Sequence, residues 1–126
     1  MKLLSIAVAL FILVGCAAPA RQAAVPEPSV EFPVCGGTAD CEVKWGRAIQ
    51  WINANSHWRI RLMNESMIET FGSGSSTYLS YRVTRIPLGE QKYRIEVHAG
   101  CRNLFGCNPH PAQGVYELTR FIDKGW

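Results

Sequence analysis

The chain has 126 residues, room for one small folded domain, and a formal charge of +3 from 13 basic and 10 acidic side chains. So slight an excess gives no argument for a nucleic-acid surface. The longest apolar run, residues 3–14, would make about 18 Å of helix, where a membrane span needs roughly 20 residues. Five cysteines in so short a chain point to an oxidising compartment, and their odd number asks for one of them to have a separate role.

Met1 and Lys2 form a short basic start, and the apolar run that follows ends in Leu13-Val14-Gly15-Cys16. That order reads as an export signal in which a Gly-Cys pair replaces the usual small-residue cleavage site. Ordinary cleavage at Ala18-Pro19-Ala20 would place a proline awkwardly, and Pro19 and Arg21 stop the run from lengthening into a span. The stretch closely resembles the lipobox of bacterial lipoproteins. The resemblance implies that residues 1–15 are a signal peptide cut before Cys16 and that the Cys16 thiol carries a diacylglycerol. With Ala17 in place of an aspartate after it, the resemblance also implies sorting to the outer membrane, facing the periplasm. The membrane would then be the first partner, and nucleic acid none.

Assigning Cys16 to the lipid leaves Cys35, Cys41, Cys101 and Cys107, for which two disulfides are the expectation. Sequence alone leaves three pairings open. Local pairs, Cys35 with Cys41 and Cys101 with Cys107, are favoured; loop entropy, about 2 kcal/mol for each short loop and about 4 for a long one, does not select between the pairings. Neither local pair has the close Cys-x-x-Cys spacing of a zinc knuckle, so no metal is expected.

Residues 16–33 read as a lipidated start and a linker, because prolines at 19, 26, 28 and 33 interrupt any apolar period. The folded domain is expected over residues 34–126, opening with a turn in which Thr38 or Asp40 caps a helix over about 41–53. Trp45, Ala48, Ile49 and Ile52 form its apolar stripe, with Trp51 a misfit beside it. Gly46 costs propensity there unless it lets the helix approach a sheet.

Four strands are expected next. In residues 57–64, Trp58, Ile60 and Leu62 share a face opposite Arg59, Arg61 and Met63. Residues 66–71 are ambiguous, since Met67 and Phe71 oppose Ile68. Residues 72–76 make a flexible tip, and residues 77–86 place Leu79, Tyr81 and Val83 opposite Ser80, Arg82 and Thr84. After a turn at 87–90, Tyr93, Ile95, Val97 and Ala99 alternate with Lys92, Arg94, Glu96 and His98. One sheet face is therefore packed and the other wet. The wet face, with Arg59, Arg61, Arg82, Lys92, Arg94, Glu96 and His98, is either a basic docking surface for an acidic glycan, lipid headgroup or protein, or an ordinary solvated face. Residues 101–107 form a stapled loop, in which Leu104 and Phe105 are expected to tuck under the last helix, the alternative being an exposed contact patch. Pro109 and Pro111 suit the start of that helix, Val115, Leu118 and Ile122 its stripe, with Phe121 beside them, and Gly125 its end.

The fold expected is α+β, a four-stranded antiparallel sheet with both helices on one face. In element order it resembles the half-repeat of TATA-binding-protein-like and helix-grip folds, over roughly residues 38–124. That likeness carries no function and no DNA binding. Three histidines, His57, His98 and His110, and carboxylates such as Glu65 and Glu69 fall in no catalytic pattern, so neither an enzyme nor a cofactor is expected. The expectation is a non-enzymatic interaction module of the envelope, binding an envelope protein or peptidoglycan through Arg59, Arg61, Arg82 and Arg94 or through Leu104 and Phe105. The alternative is a carrier of a small apolar ligand in a pocket lined by Trp45, Trp51, Trp58 and Tyr81.

Overall fold

A computed structural model of the chain describes residues 29–72 and 74–126. Residues 1–15, Cys16 and most of the expected linker lie outside the described residues. The elements are β1 (Val34–Gly36), α1 (Gly37–Asn55), β2 (Ile60–Met63), β3 (Met67–Thr70), β4 (Ser80–Gly89), β5 (Lys92–Gly100) and α2 (Pro111–Lys124). The sheet is antiparallel in the order β1-β5-β4-β3-β2, so the class is α+β with five strands where four were expected.

The added strand is β1, three residues long, with Val34 opposite Arg94 and Gly36 opposite Lys92. At three residues it is too short to show a period in the sequence. The order extends further back: the Pro33 carbonyl accepts the Ile95 N–H at 2.8 Å, and Pro33 itself is buried. Helix α1 then starts at Gly37, four residues before the expected start. Neither Thr38 nor Asp40 is its cap; Gly36 is, and Asp40 instead reaches back from the first turn to accept the Gly36 N–H at 3.0 Å.

Both helices pack on the same sheet face. Trp51 of α1 meets Tyr81 edge-on at 5.3 Å, and Gly114 of α2 lies against Leu79 and Tyr81. The core is built on Ile52, Ile68, Val83, Ile95, Val97, Leu118 and Ile122, all at or below 1 % exposure. In α1 the buried stripe is Cys41, Trp45, Ala48, Trp51 and Ile52, so Trp51 belongs to it and Ile49 is the half-buried flank. The expected stripe was rotated because Trp51 and Ile49 sit on opposite shoulders of Ala48 and Ile52, and the larger ring takes the buried shoulder.

Of the two readings of Gly46, the close approach is absent: it is exposed, and a Cβ there would meet nothing within 4 Å. Gly114 fills that role, since a Cβ would lie 2.5 Å from Leu79 Cδ1 and 2.7 Å from the Tyr81 hydroxyl. Arg47, off the stripe, clamps the helices together by donating to the Ile122 and Asp123 carbonyls at 3.1 and 3.0 Å, the electronegative end of α2. At the other end of α2, His110 Nδ1 accepts the Ala112 N–H at 3.2 Å with Pro111 in the first turn, and Gly125 ends the helix at φ 84°.

Two departures reshape the sheet edges. A bulge between Ile60 and Leu62 sets Leu62 opposite Glu69, so Leu62 leaves the packed face and is 40 % exposed. Strand β4 runs on past the expected turn to Gly89. The hairpin turns at Glu90 and Gln91, both at positive φ (53° and 59°), with Leu88 exposed beside it.

Candidate functional site

The uncovered sheet face carries the charged residues in register. Glu69, Arg82 and His98 lie in one row across β3, β4 and β5, and Thr84 and Glu96 in the next. The bulge in β2 delivers Arg61 to the end of the first row, where it bonds Glu69, and Arg82 Nε lies 3.4 Å from the other oxygen of that carboxylate. These hydrogen bonds, from Arg61 first and then Arg82, hold the Glu69 carboxyl below its ordinary range. Arg94 is taken up by Glu96 at 2.6 Å, and His98 Nε2 lies 3.8 Å from the same carboxylate. The face expected to be basic is thus largely paired within itself. The arginines are spread in two groups, each organised on one glutamate.

Arg61, Arg82 and Glu69 wall an open groove of about 630 Å³ where β3, β4 and β5 end. Arg102 adds a third guanidinium, Phe71 and Tyr78 supply aromatic walls, and Ser80 a hydroxyl. Arg59 stands at the same end with its guanidinium 5.2 Å from the centre of the Phe71 ring. Tyr78 is stacked on His57 at 3.8 Å. Arg94 is not in the groove, and Lys92 lies exposed at the opposite end beside the hairpin turn.

Two features of this groove are not visible in the sequence. Only the bulge and the β3–β4 register bring Glu69 two arginines. Arg102 joins them from the stapled loop. Arg85, which continues the Tyr81-Val83 alternation, turns to the helix side, its guanidinium 4.4 Å from the centre of the Trp45 ring and 5.7 Å from that of Tyr93.

Cys35 and Cys41 are bonded, as are Cys101 and Cys107, with Cα separations of 4.9 and 5.8 Å, the local pairing. The expectation that Leu104 and Phe105 tuck under α2 is overturned: they are 101 % and 98 % exposed. The reason is local. Asn103 bonds the Ser75 carbonyl through Nδ2 at 2.7 Å and accepts the Phe105 N–H at 2.8 Å, which ties the loop to the 74–78 segment.

The aromatics expected to line a carrier pocket are spent on packing: Trp45, Trp51 and Tyr81 are buried in the core, and Trp58 is half-buried against His57. Burial, with a smaller effect of the Glu117 charge, pushes the Tyr81 hydroxyl up to about 12, so it stays a neutral group at the foot of α2. The three histidines take separate posts, His57 on Tyr78, His98 near Glu96 and His110 at the start of α2. Among the described residues no group of three or more His, Cys, Asp or Glu side chains could hold a metal, and no helix is long and apolar enough to cross a membrane. No protein-family model, curated protein or solved structure matches the chain.

Proposed function

We propose that this chain is a lipid-anchored periplasmic protein of the outer membrane, acting as a non-enzymatic interaction module of the cell envelope. The lipobox-like Leu13-Val14-Gly15-Cys16 supplies the address. The observation that carries the binding role is the groove on the uncovered sheet face. Three guanidiniums and one carboxylate line it between two half-exposed aromatic rings. Arg61 and Arg82 are held in place by Glu69, so an incoming anion meets donors that are already oriented. The partner is accordingly an envelope protein or peptidoglycan presenting carboxylates.

Photo-crosslinking from Tyr78→p-benzoylphenylalanine, in the wall of the groove, in intact cells tests this reading. The expected product is a discrete adduct to one envelope protein or to lysozyme-sensitive peptidoglycan, weakened by Arg102→Glu. Recovery of only the unmodified protein, under illumination that crosslinks a known envelope complex in the same cells, would contradict it.

A further inference from the structure

The loop between Cys101 and Cys107 holds out two side chains that the fold does not use. Leu104 and Phe105 are fully exposed, yet the loop that carries them is braced. The disulfide closes its base, Asn103 ties it to the Ser75 carbonyl, and the Asn108 N–H donates to the Thr77 carbonyl at 2.9 Å. A large apolar pair kept rigidly in water stabilises nothing until something covers it.

The place where the chain enters the domain indicates what that is. Strand β1 runs antiparallel to β5, with Val34 opposite Arg94, Pro33 bonded to Ile95, and the Phe32 ring 6.4 Å from that of His98. Going back from Val34 therefore leads toward Gly100, so the chain arrives from the end of the sheet where the 101–107 loop projects. The same end carries Arg59, Arg61, Arg82 and Arg102 around the single carboxylate Glu69, and the half-exposed rings of Phe71 and Tyr78. The hairpin end is charged with both signs, Glu90 beside Lys92. An apolar tip on the same end as aromatics and arginines matches the layered chemistry of a bilayer surface, acyl chains beneath phosphates.

We propose that the 101–107 loop at this end of the domain touches the membrane that holds the Cys16 lipid, with Leu104 and Phe105 entering the headgroup–acyl boundary and Arg102 left to the groove. The inference rests on Cys16 being the anchor. From residue 16 to residue 29 is thirteen steps, at most about 45 Å of chain. The tether therefore keeps the loop close to the surface, and a contact too weak to hold a free protein is sufficient for a tethered one.

The test is a photoreactive residue in the full-length protein in intact cells, Phe105→p-benzoylphenylalanine, with Leu88→p-benzoylphenylalanine at the hairpin end as the comparison. Intact mass of each purified product reads the Cys16 lipid separately. The expected result is a phospholipid mass added to the peptide containing residue 105 and none to that containing residue 88. A protein adduct at 105, no adduct there, or equal lipid labelling at both positions, with Cys16 lipidated, would overturn the membrane contact and leave the anchor reading standing. Lipid labelling at 105 with an unmodified Cys16 would support the contact and remove the anchor. An unmodified Cys16 with no lipid labelling at 105 would remove both.

Discussion

Two disulfides close loops of the same length in this domain, each joining cysteines six positions apart, and they are used in opposite ways. Cys35 and Cys41 are buried, at 0 % and 3 % exposure, and the segment between them passes from β1 into the first turn of α1. That staple is part of the core. Cys101 and Cys107 are only half-buried, and their loop carries its largest side chains into solvent. Equal spacing gives equal loop entropy, so what separates the two is burial. One loop is closed to hold the fold together, the other to hold a surface still.

The largest effect that would sharpen this contrast comes from removing each staple in turn. Cys35→Ala with Cys41→Ala should cost about 4 kcal/mol, about half from loop entropy and the rest from emptied core volume. Chemical denaturation measures it directly. Cys101→Ala with Cys107→Ala should cost about 2 kcal/mol, the loop term alone. Equal losses for the two pairs would contradict a core role for the first and a surface role for the second.

Comparable to the smaller of these is Gly114→Ala. Its methyl would press on Leu79 Cδ1 and the Tyr81 hydroxyl, and overpacking of this kind costs about 1–3 kcal/mol. The same exchange at Gly46 meets nothing within 4 Å and should stabilise by about 0.5–1 kcal/mol, as alanine replaces glycine in an exposed helix interior. Opposite signs for two Gly→Ala changes, read from thermal melts, would confirm that α2 rather than α1 makes the close approach to the sheet.

Helix and strand periods showed most of this fold in advance. Both helices and the inward faces of β4 and β5 follow from spacings of two, three and four residues, while the local cysteine pairs are one of three pairings the spacing leaves open. The misreadings fall where a single residue changes the outcome. β1 is too short to have a period, the bulge in β2 turns Leu62 outward, and Trp51 displaces Ile49 from the buried stripe. The candidate site was legible only as a list of arginines. Their grouping depends on strand register, which brings Glu69 to Arg61 and Arg82 and separates both from Arg94. Leu104 and Phe105 were visible as an anomaly, but apolar composition alone argues for burial. The bracing bonds of Asn103 decide otherwise.

Acid titration gives the smallest effect, and it touches both regions. Asp40, inside the first staple, is held below its ordinary 3.8 chiefly by the Gly36 N–H, and Glu69, in the groove, below its ordinary 4.5 chiefly by Arg61. Folded values below the unfolded ones mean that each group stabilises the fold above its ordinary pKa, and that this is lost as pH falls through the folded value. The melting temperature should therefore begin to decline below about pH 4.5. Asp40→Asn and Glu69→Gln should each flatten that decline slightly, since both carboxylates remain in contact with water.

Leu104 and Phe105 belong to a surface and not to the core, which makes the thermal melt of the double variant Leu104→Ser/Phe105→Ser decisive. The expected melting temperature lies within a degree or two of that of the unmodified protein, the equivalent of about 0.5 kcal/mol or less. A loss of about 3 kcal/mol or more, the size expected from uncovering two buried apolar side chains, would contradict it.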